Sequence, residues 1–322
     1  MRLICVLLFV LYFGSSYGQR HDDYFEKCQI VEQNGKFGIL LENRLSVPYE
    51  YDEIIPQPDS FFKVKKGQKY GIITYFYSRD KFRFSMGNDA AIFPLKRGYV
   101  LLQLALPCQF DKIEDFDDQY LLLRREGKLG LANHYGSLLI PCRFDKLESR
   151  DNSIWVTAAD KHGVYNRYGS TILPCQFEKI EFRDNVYYVV RDLNQGIYNR
   201  YGSVIIPTQY TDIREAGNTF WVEKGELKGV VNRYGSTIIA CRFNEISRKG
   251  ENYYVSREGK YGVFNRYGSK ILPCNFEKIE CMANGQYIAS QGGNKKLYNA
   301  YGSFLGGYSE ANVIYSTEKL PD

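Results

Sequence analysis

Hydrophobic residues come in short runs, Ile154-Trp155-Val156, Gly163-Val164-Tyr165 and Tyr187-Tyr188-Val189 among them, cut apart by polar clusters such as Arg183-Asp184-Asn185 and Arg257-Glu258-Gly259-Lys260. Runs this short, rich in β-branched and aromatic residues and bounded by Gly, Asn and Asp, predict strands closed by hairpin turns. A helical spacing of apolar residues does not emerge. The fold class expected is therefore all-β.

The pattern is periodic. Asn-Arg-Tyr-Gly-Ser recurs at 166–170, 199–203, 232–236 and 265–269, a step of 33 residues each time, with the variants Asn133-His134-Tyr135-Gly136-Ser137 and Asn299-Ala300-Tyr301-Gly302-Ser303 on either side. A glycine precedes each turn (Gly130, Gly163, Gly196, Gly229, Gly262), and Pro141, Pro174, Pro207 and Pro273 follow it, with Ala240 substituting once. Fixed-period self-similarity is the signature of a stacked repeat array. Eight units are expected, starting near residues 24, 60, 119, 152, 186, 219, 252 and 286, the second carrying an insertion over 78–98. Asn bonding its own following backbone and Gly supplying a positive φ fit a three-residue hairpin whose tip is Arg-Tyr. Pro174 and its equivalents cannot donate to a ladder, so they are expected to split the longest strand and give an even strand count per unit. Tandem hairpin units of about 33 residues predict an open β-solenoid or superhelix, with a closed seven- or eight-bladed propeller-like ring as the alternative. In the ring, Tyr24 to Gln33 reads as a closing strand.

The first residues change the setting. Met1-Arg2, an apolar stretch from Leu3 to Phe13, and small residues Ser16 and Gly18 read as a signal peptide over 1–18, leaving 19–322 as one repeat domain. The mature protein is expected to be secreted, periplasmic or on the cell surface, with no integral membrane segment after signal removal. Net charge is +5, with acids and bases interspersed, which argues against a nucleic-acid partner and against a polybasic membrane patch. With only 3 His in the chain, His-based chemistry has little to draw on, whereas 28 Tyr and 20 Phe suit half-buried strands.

The segment Tyr261-Gly262-Val263-Phe264-Asn265-Arg266-Tyr267-Gly268-Ser269-Lys270-Ile271-Leu272-Pro273-Cys274-Asn275-Phe276-Glu277 resembles the WG-repeat family in character at successive positions. The likeness spans nearly the whole mature chain. The family's signature Trp is replaced by Phe37, Tyr70, Leu129, His162, Gln195, Lys228, Tyr261 and Lys296, and the two Trp present, Trp155 and Trp221, lie on another strand. The resemblance implies a non-enzymatic bacterial repeat protein, often exported.

The candidate binding residues are the tip pairs Arg167-Tyr168, Arg200-Tyr201, Arg233-Tyr234 and Arg266-Tyr267. Exposed, they would form a row of flat rings and bidentate donors, the side chains enriched at interface hot spots; alternatively each Tyr folds back on its neighbour's turn. Cys108, Cys142, Cys175, Cys241 and Cys274 hold one repeat position and share strand parity with a following Phe, so they are expected to be buried free thiols. Cys28 and Cys281 fall outside the series. Asp111, Asp145, Glu178 and Glu277, with Glu114, Glu148, Glu181 and Glu280, read as a solvated strand face paired with the Lys between them. His134 and His162 lack partners at ligand spacing, and neither a metal nor a cofactor motif is present. The insertion is a second candidate site, expected as a loop; its acids, Asp80 and Asp89, are the only support for a hydrolase. These residues point to an exported, non-enzymatic surface recognising or scaffolding a protein or glycan partner, with a carbohydrate-binding repeat as the alternative.

Overall fold

The computed structural model describes residues 28–58, 61–78, 90–95 and 98–309. The expected signal peptide, Tyr24 at the start of the expected closing strand, and Asp80 and Asp89 lie outside them. Every regular element among the described residues is a strand, so the all-β repeat expectation holds. Eight antiparallel sheets follow one another in chain order, one of three strands, one of five and six of four. The described residues fall into two compact units that divide between Cys175 and Gln176.

One sheet explains the rest. Lys146–Arg150, Ser153–Ala158, Lys161–Asn166 and Thr171–Phe177 lie side by side in sequence order. The first two connections are two-residue turns with positive φ at both positions, +52° and +57° at Asp151-Asn152 and +48° and +59° at Ala159-Asp160, the geometry whose twist matches that of a hairpin. The third connection is the five-residue repeat motif. After the first sheet, each sheet's first strand, here Lys146–Arg150, begins two residues after the Phe or Tyr that ends the preceding sheet, ahead of the unit start read from the sequence near 152.

Proline does not split the strand. Thr171–Phe177 runs through Pro174 unbroken, and the chain leaves the sheet only after Phe177. Proline is instead accommodated in a bulge. In the first unit Leu129 pairs with Phe144 and Leu131 with Ile140, so the outer strand spends four residues against the inner strand's two; the same step occurs in the second unit between Tyr261–Phe276 and Val263–Leu272. The extra residues, Pro-Cys, rise opposite the preceding glycine. A Cβ on Gly163 would stand 2.8 Å from the Cα and N of Cys175, and one on Gly262 would stand 2.8 Å from the N of Cys274. Glycine, proline and cysteine recur together because the bulge leaves no room for a side chain beneath it.

The strand break falls on the residue after the Phe, and there an acid ties three strands together. Asp145 donates its N–H to the Thr157 carbonyl at 2.7 Å, accepts the Ala159 N–H on its carboxylate at 2.9 Å, and pairs with Lys128 of the preceding sheet. Asp52 does the same with Gly67 and Lys36, Asp111 with Glu126 and Lys69, and Glu277 with Gly292 and Lys260. The expected pairing with the intervening Lys is correct only for the outer acids, as in Lys146–Glu148 and Lys112–Glu114. The inner acids face the neighbouring turn because the chain is changing sheets at that point.

Within each unit, consecutive sheets pack against one another. Tyr120, Leu131, Ile140 and Phe144 share one buried cluster with Leu147, Ile154, Val156 and Tyr165; in the second unit Val230, Ile239 and Phe243 do so with Ile246, Tyr253, Val255 and Phe264. Fully burying each such side chain contributes about 1.5–3 kcal/mol. The Phe that ends a sheet meets an aromatic of the next edge-on, Phe144–Tyr165 at 5.8 Å, Phe243–Phe264 at 5.7 Å and Phe276–Tyr298 at 5.6 Å.

The insertion is not simply a loop. Lys69–Ser78 and Gly98–Phe110 are lengthened beyond the other strands and pair with each other, and Ala90–Leu95 adds a fifth strand at the sheet edge. Val100, Leu102, Ile73 and Tyr75 pack into the cluster of the first sheet with Ile39, Leu41 and Val47.

Two outcomes are expected. Gly259 and Gly268 both have positive φ, +74° and +85°, but a Cβ on Gly259 meets nothing within 4 Å, whereas on Gly268 it would lie 2.0 Å from the Ile238 carbonyl oxygen. Denaturant unfolding should give a cost of about 1 kcal/mol for Gly259→Ala and about 3 kcal/mol or more for Gly268→Ala; equal costs would show that the contact is unimportant. The second concerns acid. The carboxyls of Asp52, Asp111 and Asp145 lie below the usual range, first through the lysine hydrogen bond and then through the backbone N–H. The unfolded chain therefore binds more protons in acid, and the stability these groups provide above about pH 4 is lost as pH falls through their folded values. The urea midpoint should be flat from about pH 7 to 5 and drop below about pH 4. Asp52→Asn, Asp111→Asn and Asp145→Asn combined should lower it at neutral pH and flatten the drop; an unchanged drop would assign acid sensitivity to other groups.

Candidate functional site

Each tip is built by one asparagine. In 166–170 the Asn166 N–H bonds the Ser170 carbonyl at 2.8 Å, and its own carbonyl accepts the Gly169 N–H at 3.1 Å. Its side-chain oxygen accepts the N–H groups of both Tyr168 and Ser170 at 2.9 Å. The same bonds recur at Asn199, Asn232, Asn265 and Asn299. With six backbone groups paired through these four bonds, the turn holds its shape and the tyrosine Cα has a fixed position.

The glycine of each tip, not the tyrosine, packs on the neighbouring repeat. A Cβ on Gly169 would lie 2.5 Å from the Leu139 carbonyl oxygen, and one on Gly235 would lie 2.2 Å from that of Ile205. Within each unit a tip therefore rests on the outgoing strand of the sheet before it. The tyrosines are left in solvent. Tyr168, Tyr201, Tyr234 and Tyr267 are 85%, 77%, 79% and 73% exposed, so the alternative of Tyr folding back on its neighbour does not occur.

The structure adds two residues to the series. Tyr135 and Tyr301 are equally open, at 66% and 88%. An Arg-Tyr pattern does not contain them, because His134 and Ala300 stand at the arginine position; the Tyr-Gly-Ser register alone marks them. In the first unit the Tyr135 ring stacks against Phe76 of the lengthened hairpin at 6.1 Å, so the insertion touches the first tip.

The arginines divide. The guanidinium groups of Arg200, Arg233 and Arg266 are exposed and lie over the rings of Tyr201, Tyr234 and Tyr267 at 5.4, 5.5 and 4.9 Å, within cation–π range. Arg266 also pairs with Glu251 at 2.8 Å, which holds it more firmly protonated. Arg167 is half-buried instead, its carbonyl held by the Tyr120 hydroxyl at 3.0 Å.

The repeated cysteines are half-buried, not buried. The bulge lifts each one over its partner glycine, so the thiol reaches a strand carbonyl: Cys175 to Lys161 at 3.1 Å, Cys241 to Leu227 at 3.0 Å and Cys274 to Lys260 at 3.0 Å. Strand parity, on which the core placement rested, fails at a bulge. All seven described cysteines are free, as expected. Burial raises the thiol pKa along the series and pushes Cys28 up to about 12, while Cys281 is exposed.

His162 shares a hydrogen bond of 3.2 Å with Thr157, and His134 stacks on Phe61 at 5.7 Å. Among the described residues no group of three or more His, Cys, Asp or Glu is placed to hold a metal ion, and no helix is long and apolar enough to cross a membrane.

No protein-family model matches the chain, and no curated protein matches it. Solved structures similar to it include a eukaryotic initiation factor, 8% identical at a TM-score of 0.25 and covering 88% of this chain and 85% of that one. Hsv2p of Kluyveromyces lactis is 13% identical at 0.22, covering 76% and 94%. Apo AztD from Citrobacter koseri is 8% identical at 0.22, covering 88% and 93%. Likeness at this level carries no argument about function.

Thiol labelling checks the cysteine geometry. In the native protein Cys281 should alkylate fast and Cys108, Cys142, Cys175, Cys241 and Cys274 slowly, because a protonated thiol is a poor nucleophile. After denaturation without reductant, all seven should react; a deficit of two or more would reveal disulfides.

Proposed function

We propose that this is an exported, non-enzymatic repeat protein whose turn tips form a recognition or scaffolding surface for a protein or glycan partner. The observation that carries the reading is the exposure of the tip tyrosines, from 66% at Tyr135 to 88% at Tyr301, on turns held by the asparagine's backbone bonds. Large aromatic side chains held in solvent have no role in packing the fold. Tyr and Arg together supply apolar area, hydroxyls and planar donors at low entropic cost, because the backbone beneath is already fixed. Repetition multiplies weak contacts into avidity. A signal peptide over 1–18, secreted, periplasmic or cell-surface placement and the WG-repeat resemblance belong to the same reading. They fit a surface that works outside the cytoplasm.

The test replaces Arg by Ser and Tyr by Asn at 200/201, 233/234 and 266/267, and Tyr168 by Asn, in one variant that leaves the half-buried Arg167 in place. Wild type and variant are immobilised side by side and exposed to the native envelope or medium. The variant should keep its melting temperature, since only exposed groups change, and lose most of the material that wild type retains. Retention of the same material by both would remove the tips from the recognition surface.

A further inference from the structure

Resting on the reading of the tips as a recognition surface, we infer that the row in the second unit binds an anionic polysaccharide whose sugar rings carry carboxylates. Three properties of that row meet in one ligand.

The first is charge. In an antiparallel sheet built in sequence order, the turn after the first strand lies at the same end as the tip, and the Arg266–Glu251 pair at 2.8 Å joins the two. At this end of the second unit the basic residues are Arg183, Arg200, Arg233, Arg248, Lys249 and Arg266, against the acids Asp184, Glu215 and Glu251. Arg266 and Glu251 offset each other and Glu215 accepts the Tyr188 hydroxyl at 3.2 Å, which leaves five bases against two acids. The end is basic although the chain as a whole carries only +5. The crossover end, by contrast, gathers the acid–lysine pairs.

The second is shape. At Tyr201, Tyr234 and Tyr267 a guanidinium lies over one side of the ring, and the exposed phenol leaves the other side to solvent. The electron-rich face of a phenol attracts the polarised C–H bonds of a sugar ring. The planar N–H fork beside it suits a carboxylate bonded through both oxygens. A uronate unit offers a ring and a carboxylate side by side, which neither a neutral sugar nor an acidic peptide does.

The third is repetition. Asn-Arg-Tyr-Gly-Ser at 199–203, 232–236 and 265–269 is the same turn, held by the same bonds, in three consecutive sheets. Face-packed sheets are spaced by about 10 Å, close to the length of a disaccharide. Identical sites at a constant step match a polymer of identical units, and a ligand spanning several tips gains from their effective concentration.

The experiment titrates the full chain with oligogalacturonates of increasing length, with dextran oligomers and poly-glutamate as the neutral and the peptide controls. Binding should appear with oligogalacturonate alone, tighten by about tenfold or more once the oligomer spans two tips, and weaken as salt rises. Tyr201→Ala, Tyr234→Ala and Tyr267→Ala together should cost about tenfold or more at the longest length, with an unchanged melting temperature. Arg200→Gln, Arg233→Gln and Arg266→Gln together should remove most of the salt dependence. Equal binding of poly-glutamate, or tyrosine variants that bind as well as wild type, overturns the uronate assignment and leaves simple charge attraction. Absence of binding to oligogalacturonate also overturns it. The broader reading fails separately, when tip substitution leaves capture from envelope or medium unchanged.

Discussion

What holds one repeat to the next is a contact between two backbones. The tip glycine of a sheet sits against a carbonyl of the strand before it, so close at Gly235 and Gly268 that a Cβ would fall 2.2 and 2.0 Å from the oxygen. Such a contact fixes how far apart the tips lie, and with them the aromatic clusters beneath. The Phe that closes one sheet can meet the Tyr or Phe of the next edge-on only at this spacing, and the Lys of one sheet can reach the crossover acid of the next only at this spacing. Side chains fill the interior, but the backbone contact sets its dimensions.

The crossover acid makes the change of sheet possible. A chain that leaves one sheet and starts another exposes N–H groups at both the break and the adjoining turn, and leaving them unbonded would be costly. Asp145 covers the turn N–H with its carboxylate while its own N–H bonds the next strand. Where the repeat carries Asn244 instead, the amide oxygen accepts the Glu258 N–H at 3.0 Å, and Lys228 turns to Glu245 at 2.8 Å. Where it carries Thr211, the hydroxyl bonds the Glu223 carbonyl at 3.2 Å and Gln195 accepts the Ile213 N–H at 3.1 Å, so the break is tied by other groups. The function is kept while its residues change, which is why no single motif marks it.

Much of this was legible in the sequence because the informative residues act on the backbone. Asn166, Gly169 and Ser170 each have one local task, so their spacing announced the turn and its period. The arginine-tyrosine tips were legible as candidates, and their exposure follows from glycine having taken the packing role. Other features were hidden because they depend on partners distant in the chain. Counting alternate residues places Cys175 in the core, a rule that a bulge opposite Gly163 cancels. A proline reads as a strand breaker, but Pro174 sits inside a bulge, where it has no ladder bond to lose. The pairing of Lys128 with Asp145 needs the order of the sheets, which the spacing of charges along one strand does not contain. Tyr135 and Tyr301 share the turn but not the arginine, so the Arg-Tyr pattern does not reach them.

The lengthened hairpin of the second sheet has a further consequence. A series of like turns has no intrinsic origin, and a long flexible ligand could settle on it in any register. Placing Phe76 against Tyr135 ends that ambiguity on one side, because the first tip of the series then differs from every later one in what stands beside it. Within the first unit the tips at Tyr135 and Tyr168 are therefore not equivalent, and the edge they share has two distinguishable ends.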